Sequence, residues 1–333
     1  MIEELAGYEL TLWSGACRHS QAHLIFISVL TLLVAPLAVM AAESDVPEDP
    51  STWEWLEGRR DDVSRNVTGL GRAIDDWLAG EAVGEQENET YLRVGFNQLV
   101  GSFDGYHSKL KIGGSLDLPR LSERWKLILE SDVDELNSLN ENRLENTRSS
   151  VAAGSFRYEH TAESGWNFSH DVGLRAGLPV DAFYRVRAEH GVELNDLWAV
   201  GFRQSGWYYH SRGWGSDTRL YFSRELTPNS YLRLESELNY RKEYDTFEFG
   251  QFATIHQTLG AMETLSYQVG VLGLSHPNTR IDDYYVEARY RTAIYEDWLI
   301  LEAAPQVVVS RDENWRPQPR FILNLELLFF DFD

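Results

Sequence analysis

A histidine and a serine two residues apart on one β-strand point to the same face, where the imidazole could take a proton from the hydroxyl. The chain has nine histidines, and none of them is followed by a serine two residues later. His256 and Thr258 have the spacing, but the strand phase argued below places both on the charged face, beside Phe252 and Glu248. We therefore predict no catalytic residues. Hydrolysis of lipid is the weakest functional hypothesis that the sequence offers.

Motifs for cofactors and metals do not appear in the sequence either. There is no glycine-rich phosphate loop, no HExxH pair and no calcium loop. Cys17 is the single cysteine, which excludes an intrachain disulfide and a zinc site built from cysteines. The net charge of −22 argues against a nucleic-acid partner. We predict no cofactor, no metal site and no binding of nucleic acid.

Charged residues instead alternate with apolar ones over long stretches, and residues 231–241 show this most clearly. Successive side chains of a strand point to opposite faces, so this stretch predicts a strand with one apolar and one charged face. The apolar face carries Leu232, Leu234, Leu238 and Tyr240, and the charged face carries Arg233, Glu235, Glu237, Asn239 and Arg241.

Many of these alternating runs exceed ten residues, the length that a tilted strand needs to cross a bilayer. A sheet in lipid must close on itself to leave no unpaired edge. The pattern therefore predicts an all-β fold, a transmembrane antiparallel up-and-down β-barrel of about 14 strands, within a range of 12–16. The predicted strands are 90–101, 106–118, 124–133, 148–160, 164–177, 182–194, 197–211, 214–226, 229–243, 245–259, 264–275, 281–293, 297–310 and 316–332.

The connections support this assignment. If the first strand rises from the periplasm, the six periplasmic turns are all short, and the longest connection, Asp134 to Thr147, lies outside. Strands rising from those turns tend to open with an aromatic residue on the apolar face, as a periplasmic aromatic girdle requires. We predict this girdle at Trp125, Trp166, Trp198 and Trp298.

The charged face would line the lumen, where rings of charge can set ion selectivity. The same charges could instead pair across strands and hold a narrow barrel closed. If the lumen is open, the close pairs Arg185/Arg187 and Arg289/Arg291 would favour anions. The predicted lumen-lining residues are Lys109, Lys111, Arg185, Arg187, Arg233, Glu235, Glu237, Arg241, Glu287, Arg289 and Arg291.

The N-terminal region has the features of a secretory signal. An apolar run at residues 24–42 follows Arg18, His19 and His23, and it ends in the small residues Ala41 and Ala42. We expect cleavage after one of these two alanines, although a permanent membrane anchor is the alternative. Residues 1–17 are acidic and fit no signal pattern, which suggests a start codon further downstream.

Residues 49–80 have a helical period instead of the strand period. Ser51 and Glu54 have capping-box spacing. Apolar residues then recur at three-, four- and seven-residue steps and predict one helix that packs under the barrel, with a plug or a periplasmic docking element as alternatives. The predicted apolar stripe is Leu56, Val63, Val67, Leu70, Ile74 and Trp77.

The signal run, the alternating strands and the C-terminal sequence Leu327-Leu328-Phe329-Phe330-Asp331-Phe332-Asp333 resemble those of bacterial outer-membrane barrels. Strand number and short loops resemble the small monomeric porins. This resemblance implies membrane lipid and the barrel-assembly machinery as partners, a monomer, and a signal sequence at 1–42, a periplasmic segment at 43–89 and a barrel at 90–333. It favours a passive pore for small polar solutes, with a non-conducting structural or binding barrel as the runner-up.

Overall fold

The computed structural model describes residues 57–69, 90–101, 105–118, 124–131, 139, 152–177 and 180–330. The signal run and the predicted cleavage site lie outside these residues. Among the described residues, no helix is both long and apolar enough to cross a membrane.

The chain forms a closed antiparallel β-barrel of fourteen strands, each hydrogen-bonded to its neighbours in sequence. The predicted up-and-down barrel and its strand number are thus confirmed. The strands are β1 (Tyr91–Gly101), β2 (Gly105–Asp117), β3 (Trp125–Glu130), β4 (Ala153–Thr161), β5 (Asn167–Arg175), β6 (Asp181–Asn195), β7 (Trp198–Tyr209), β8 (Gly213–Thr227), β9 (Ser230–Arg241), β10 (Thr246–Gly260), β11 (Glu263–Leu274), β12 (Arg280–Tyr295), β13 (Leu299–Ser310) and β14 (Pro317–Phe330).

Closure of the barrel comes from the first strand, which pairs with both β2 and β14. Tyr91 lies opposite Phe330 of β14, and Gly101 lies opposite both Arg320 of β14 and Gly105 of β2. The sheet therefore closes on itself and has no edge strand, as a sheet in lipid requires.

Burial shows which face of the sheet points outward. Many exposed side chains are large and apolar, among them Val172, Val269 and Val286 at 61%, 55% and 51% exposure. Many charged side chains are buried, among them Asp171 at 1% and Asp217 at 0%. A soluble protein shows the opposite arrangement, in which charged residues are almost never fully buried unless paired. The outer face of the barrel thus suits lipid, and the inner face carries the charge.

The helical period of the N-terminal region is present at residues 57–69, which form a helix. Its most buried positions are Ser64 at 2% and Thr68 at 3% exposure, and Arg60 lies one turn before them on the same face. Val63 and Val67 of the predicted apolar stripe are only half-buried. Small polar side chains are thus more buried than the two valines at these positions, and the other residues of the predicted stripe, Leu56, Leu70, Ile74 and Trp77, lie outside the described residues.

Candidate functional site: the barrel lumen

A charge network occupies the lumen wall on β3 to β6. The Asp171 carboxylate accepts hydrogen bonds from Arg157, at 2.7 Å from Nε and 3.0 Å from Nη2. Arg185 donates to the other side of the same carboxylate, with Nε 2.7 Å from Oδ2, and its Nη2 lies 3.4 Å from Glu130 Oε2. Asp171 and Arg185 are each 1% exposed. Two arginines thus share one buried carboxylate, an arrangement that links three adjacent strands.

A second network lies on β8 and β9. Arg219 Nε is 2.8 Å from Asp217 Oδ1 and 2.9 Å from Glu237 Oε1. Asp217 is 0% exposed and Glu237 2%. A buried carboxylate without a cation would cost several kcal/mol. Arg219, which lies between the two carboxylates, therefore provides a compensating positive charge.

A third network joins β12, β13 and β14. Arg289 lies 2.9 Å from Glu287 and 2.8 Å from Glu302. Arg291 lies 3.6 Å from Glu302 and 2.7 Å from Glu326. Alternating bases and acids thus form a continuous chain across three strands.

These networks change the expected field of the four arginines that the sequence singled out. Arg185, Arg289 and Arg291 are each held by two carboxylates, and Arg187 lies 3.8 Å from Glu189. The expected positive field from the two arginine pairs is therefore offset locally.

The other predicted lumen residues lie on the same inner face. The Arg233 guanidinium stacks over the Tyr221 ring at 4.1 Å, and Arg241 Nε lies 3.4 Å from Asn239 Oδ1. Glu235 lies opposite Tyr221 and Phe252 in the strand register. Lys109 and Lys111 are half-buried on β2. The three networks thus contain five of the eleven predicted residues: Arg185, Glu237, Glu287, Arg289 and Arg291.

Apart from Phe252, the sequence analysis did not place apolar or aromatic side chains inside the lumen. Phe252, Leu272, Tyr285 and Val308 form one buried cluster with Leu139, which belongs to the long connection between β3 and β4. A second cluster, on β4, β6 and β7, contains Ala153, Phe183 and Tyr209, with Trp207 packed against it. Their position on the inner phase of each strand was readable from the sequence. No pattern in the sequence around Leu139 indicated that this residue would pack against this cluster.

Three of the four predicted girdle residues belong to the outer face. The Trp125 ring packs on Tyr158 at 5.2 Å, and the Trp166 ring stacks on His190 at 4.9 Å. Trp198, at the start of β7, receives the Arg224 guanidinium over its ring at 5.3 Å. Their role as a girdle stays a prediction.

Trp298 requires a correction. It is 1% exposed, and it shares the phase of Ile300 and Glu302, which face inward. Its ring packs on Tyr295 at 5.5 Å. Glu302 lies four residues further along the chain, so strand alternation from this acidic residue already puts Trp298 on the inner face.

The outer face of β4 to β6 also carries histidines that the sequence left without a role. His160 stacks on His170 with ring centroids 5.7 Å apart, and His170 Nδ1 lies 2.8 Å from the Tyr184 hydroxyl. His190 Nδ1 lies 3.1 Å from the carbonyl of Gly165, a turn residue with φ of 81°. Within the described part of the chain, no group of three or more His, Cys, Asp or Glu side chains could hold a metal ion.

Comparison with known proteins finds similar solved structures but no matching family. No family model matches the chain, and a search of curated proteins finds no match. The KdgM porin is 10% identical, with a TM-score of 0.37 over 72% of this chain and 99% of that chain. The CymD monoaromatic hydrocarbon channel is 7% identical (TM-score 0.45, 80% and 93% covered), and Pseudomonas putida OprB is 13% identical (0.41, 72% and 92%). At these identities and TM-scores, no property of these proteins is transferred to this chain.

Proposed function

We propose that this protein is a bacterial outer-membrane channel through which small polar solutes pass passively. The observation that carries the proposal is the division of the closed sheet into an exposed apolar face and a buried charged face. A lipid-facing surface needs the first, and a polar inner face is typical of barrels that hold water. The ion pairs described above offset each other's charges locally.

Single-channel recording in a planar bilayer tests the proposal, and the chain offers a matched pair of variants. Tyr285 faces the lumen at 5% exposure, whereas its neighbour Tyr284 faces outward at 42%. We expect discrete conductance steps whose size changes in Tyr285→Ala and stays the same in Tyr284→Ala. An identical response of the two variants would assign the current to a contaminating pore or to leakage around the barrel.

A non-conducting barrel with a structural or binding role is the second candidate, and one observation favours it. Lumen-facing Asp171, Arg185, Asp217 and Glu237 are no more than 2% exposed, so their charges serve the wall and not a solute. A folded, reconstituted protein that gives no current at any voltage would support this second function over the first.

We further propose that the protein is exported, loses its signal sequence, and is assembled by the barrel-assembly machinery as a monomer. The apolar run at residues 24–42, with its small-residue end, supports export, and the aromatic C-terminal sequence supports assembly. N-terminal sequencing of protein extracted from outer membranes should give Ala42 or Glu43 as the first residue. Recovery of residues 24–42 in the mature chain would indicate an anchor instead.

A further inference from the structure

Apolar side chains interrupt the charged lining of the lumen on β10 to β13. Phe252, Leu272, Tyr285 and Val308 are 2–5% exposed, and each comes from a different one of these four consecutive strands. Leu139, at 3% exposure, packs among them. We refer to the four wall residues, together with Gly250 and Gly270, as the apolar pocket.

Two glycines make room for this packing. A Cβ atom at Gly250 would lie 2.3 Å from Leu139 Cδ2, and one at Gly270 would lie 2.3 Å from Tyr285 Cε1. Both distances are far below any real contact of a Cβ atom. At these two positions the barrel wall carries no side chain, which leaves space for Leu139 and for the Tyr285 ring.

The pocket also has a polar edge. The Tyr285 hydroxyl donates a hydrogen bond to Gln268 Oε1 at 2.6 Å, and Gln268 Nε2 donates to Thr254 Oγ1 at 2.9 Å. This chain of hydrogen bonds fixes the Tyr285 ring as one side of the pocket. Buried apolar surface beside a few oriented polar groups is the usual composition of a small-molecule site.

We propose that the apolar pocket is a binding site for the apolar part of a small solute, and that Leu139 fills it as an intramolecular ligand. The occupant now present sets the class: a branched aliphatic group or a single aromatic ring, bearing a hydroxyl that can reach Gln268. The walls belong to paired strands, whereas Leu139 belongs to none of the fourteen strands. The inference rests on the proposed function only in that the solute reaches the pocket through the lumen.

Methyl NMR of leucine- and valine-labelled protein in detergent micelles tests this directly, with benzyl alcohol as the probe. Leu139 methyls next to the Phe252 and Tyr285 rings should resonate well upfield of ordinary leucine methyls. Benzyl alcohol should move them towards the ordinary position in a saturable manner, and glycerol should not. The methyls of Val269, which is 55% exposed on the outer face, report probe that has only dissolved in the micelle.

Two variants separate the pocket from the loop residue. Leu139→Ala vacates the pocket, so benzyl alcohol should bind several-fold more tightly than to the wild type, because a larger fraction of the protein is competent to bind. Gly250→Ala should expel Leu139 and remove its upfield shift. Gly95→Ala is the matched control, since a Cβ there meets its nearest atom, Asn324 Oδ1, at an ordinary 3.6 Å.

These outcomes are independent of conductance. Leu139 methyls that stay unmoved while the Val269 methyls respond, or equal probe affinity in Leu139→Ala and the wild type, would overturn the inference. A barrel that binds benzyl alcohol as expected but passes no current would contradict the proposed channel function and would still support the proposed binding site.

Discussion

The outer and inner faces of the barrel are built by the same strands, yet different forces act on them. On β9, Leu234 is 40% exposed on the outer face, while Glu237 is 2% exposed inside. Exposure is favourable for Leu234 because lipid covers it, and burial is tolerable for Glu237 because Arg219 lies 2.9 Å away. The stability of the outer face thus depends on the hydrophobicity of each residue separately, whereas the stability of the inner face depends on ion pairs and on networks of them.

The comparison predicts that the largest single effect lies in the lumen, at Asp171. Asp171→Ala would leave Arg157 and Arg185 without their shared carboxylate, and breaking a buried pair costs about 3–5 kcal/mol. Glu159→Ala is the control, because that carboxylate is 40% exposed and its cations lie 3.8 Å away. It should cost about 0–1 kcal/mol. Urea titrations of the refolded variants measure both values, and similar losses would contradict the network as the source of stability.

The outer face should give the next largest effect. Leu234→Arg places a cation on the lipid side, at a cost of about 2–4 kcal/mol if the position is near the bilayer midplane. Glu235→Arg, one residue further, changes only the lumen and should cost less. Folding titrations into lipid vesicles compare the two variants directly. If both were equally stable, the assigned phase of β9 would be incorrect.

The difference between the faces also explains how far the sequence could be interpreted. Hydrophobicity acts on each residue separately, so alternation alone predicted the closed barrel and its fourteen strands. Boundaries shifted where that pattern met irregular connections: β3 ends at Glu130 instead of 133, and β4 begins at Ala153 instead of 148. Trp298 was misplaced although alternation from Glu302, four residues later in the chain, puts it on the inner face.

Pairwise interactions were beyond such a prediction. The sequence placed Arg185 and Arg289 in the lumen, but it could not show that each would meet two carboxylates, one or more of them from another strand. Leu139 is the extreme case, because its partners Phe252 and Tyr285 are more than a hundred residues away. No periodicity encodes such a contact.

A smaller effect is expected on ion selectivity when a charge that faces the lumen is removed. Glu189 lies 2.6 Å from Arg203 and 3.8 Å from Arg187, so Glu189→Gln would leave two arginines without that counter-charge. The reversal potential under a salt gradient should shift towards anions. Glu163→Gln removes the same charge from an exposed turn and should leave the potential unchanged. An equal shift in both variants would mean that surface charge, and not the lumen, sets selectivity.

The smallest effect is expected at the β9–β10 turn, outside both faces. The Tyr240 hydroxyl donates a hydrogen bond to Asp245 at 2.9 Å and Lys242 lies 3.7 Å away, which together hold the pKa of the Asp245 carboxyl below its ordinary value. A depressed folded-state pKa stabilises the protein above the unfolded pKa of about 4, and this contribution is lost as the pH falls through the folded pKa. Asp245→Asn should therefore be slightly less stable than the wild type at pH 6 and indistinguishable from it at strongly acidic pH.

Asparagine also tolerates the φ of 49° at this position, so the substitution changes the charge and not the turn. Urea midpoints at the two pH values give the comparison, and Asp312→Asn, in the exposed β13–β14 turn, is the matched control. A deficit of Asp245→Asn that persists at acidic pH would attribute the effect to turn geometry. Because the Asp245 carboxylate is fully exposed, water already solvates it well, and its hydrogen bond contributes far less than the buried pairs at Asp171.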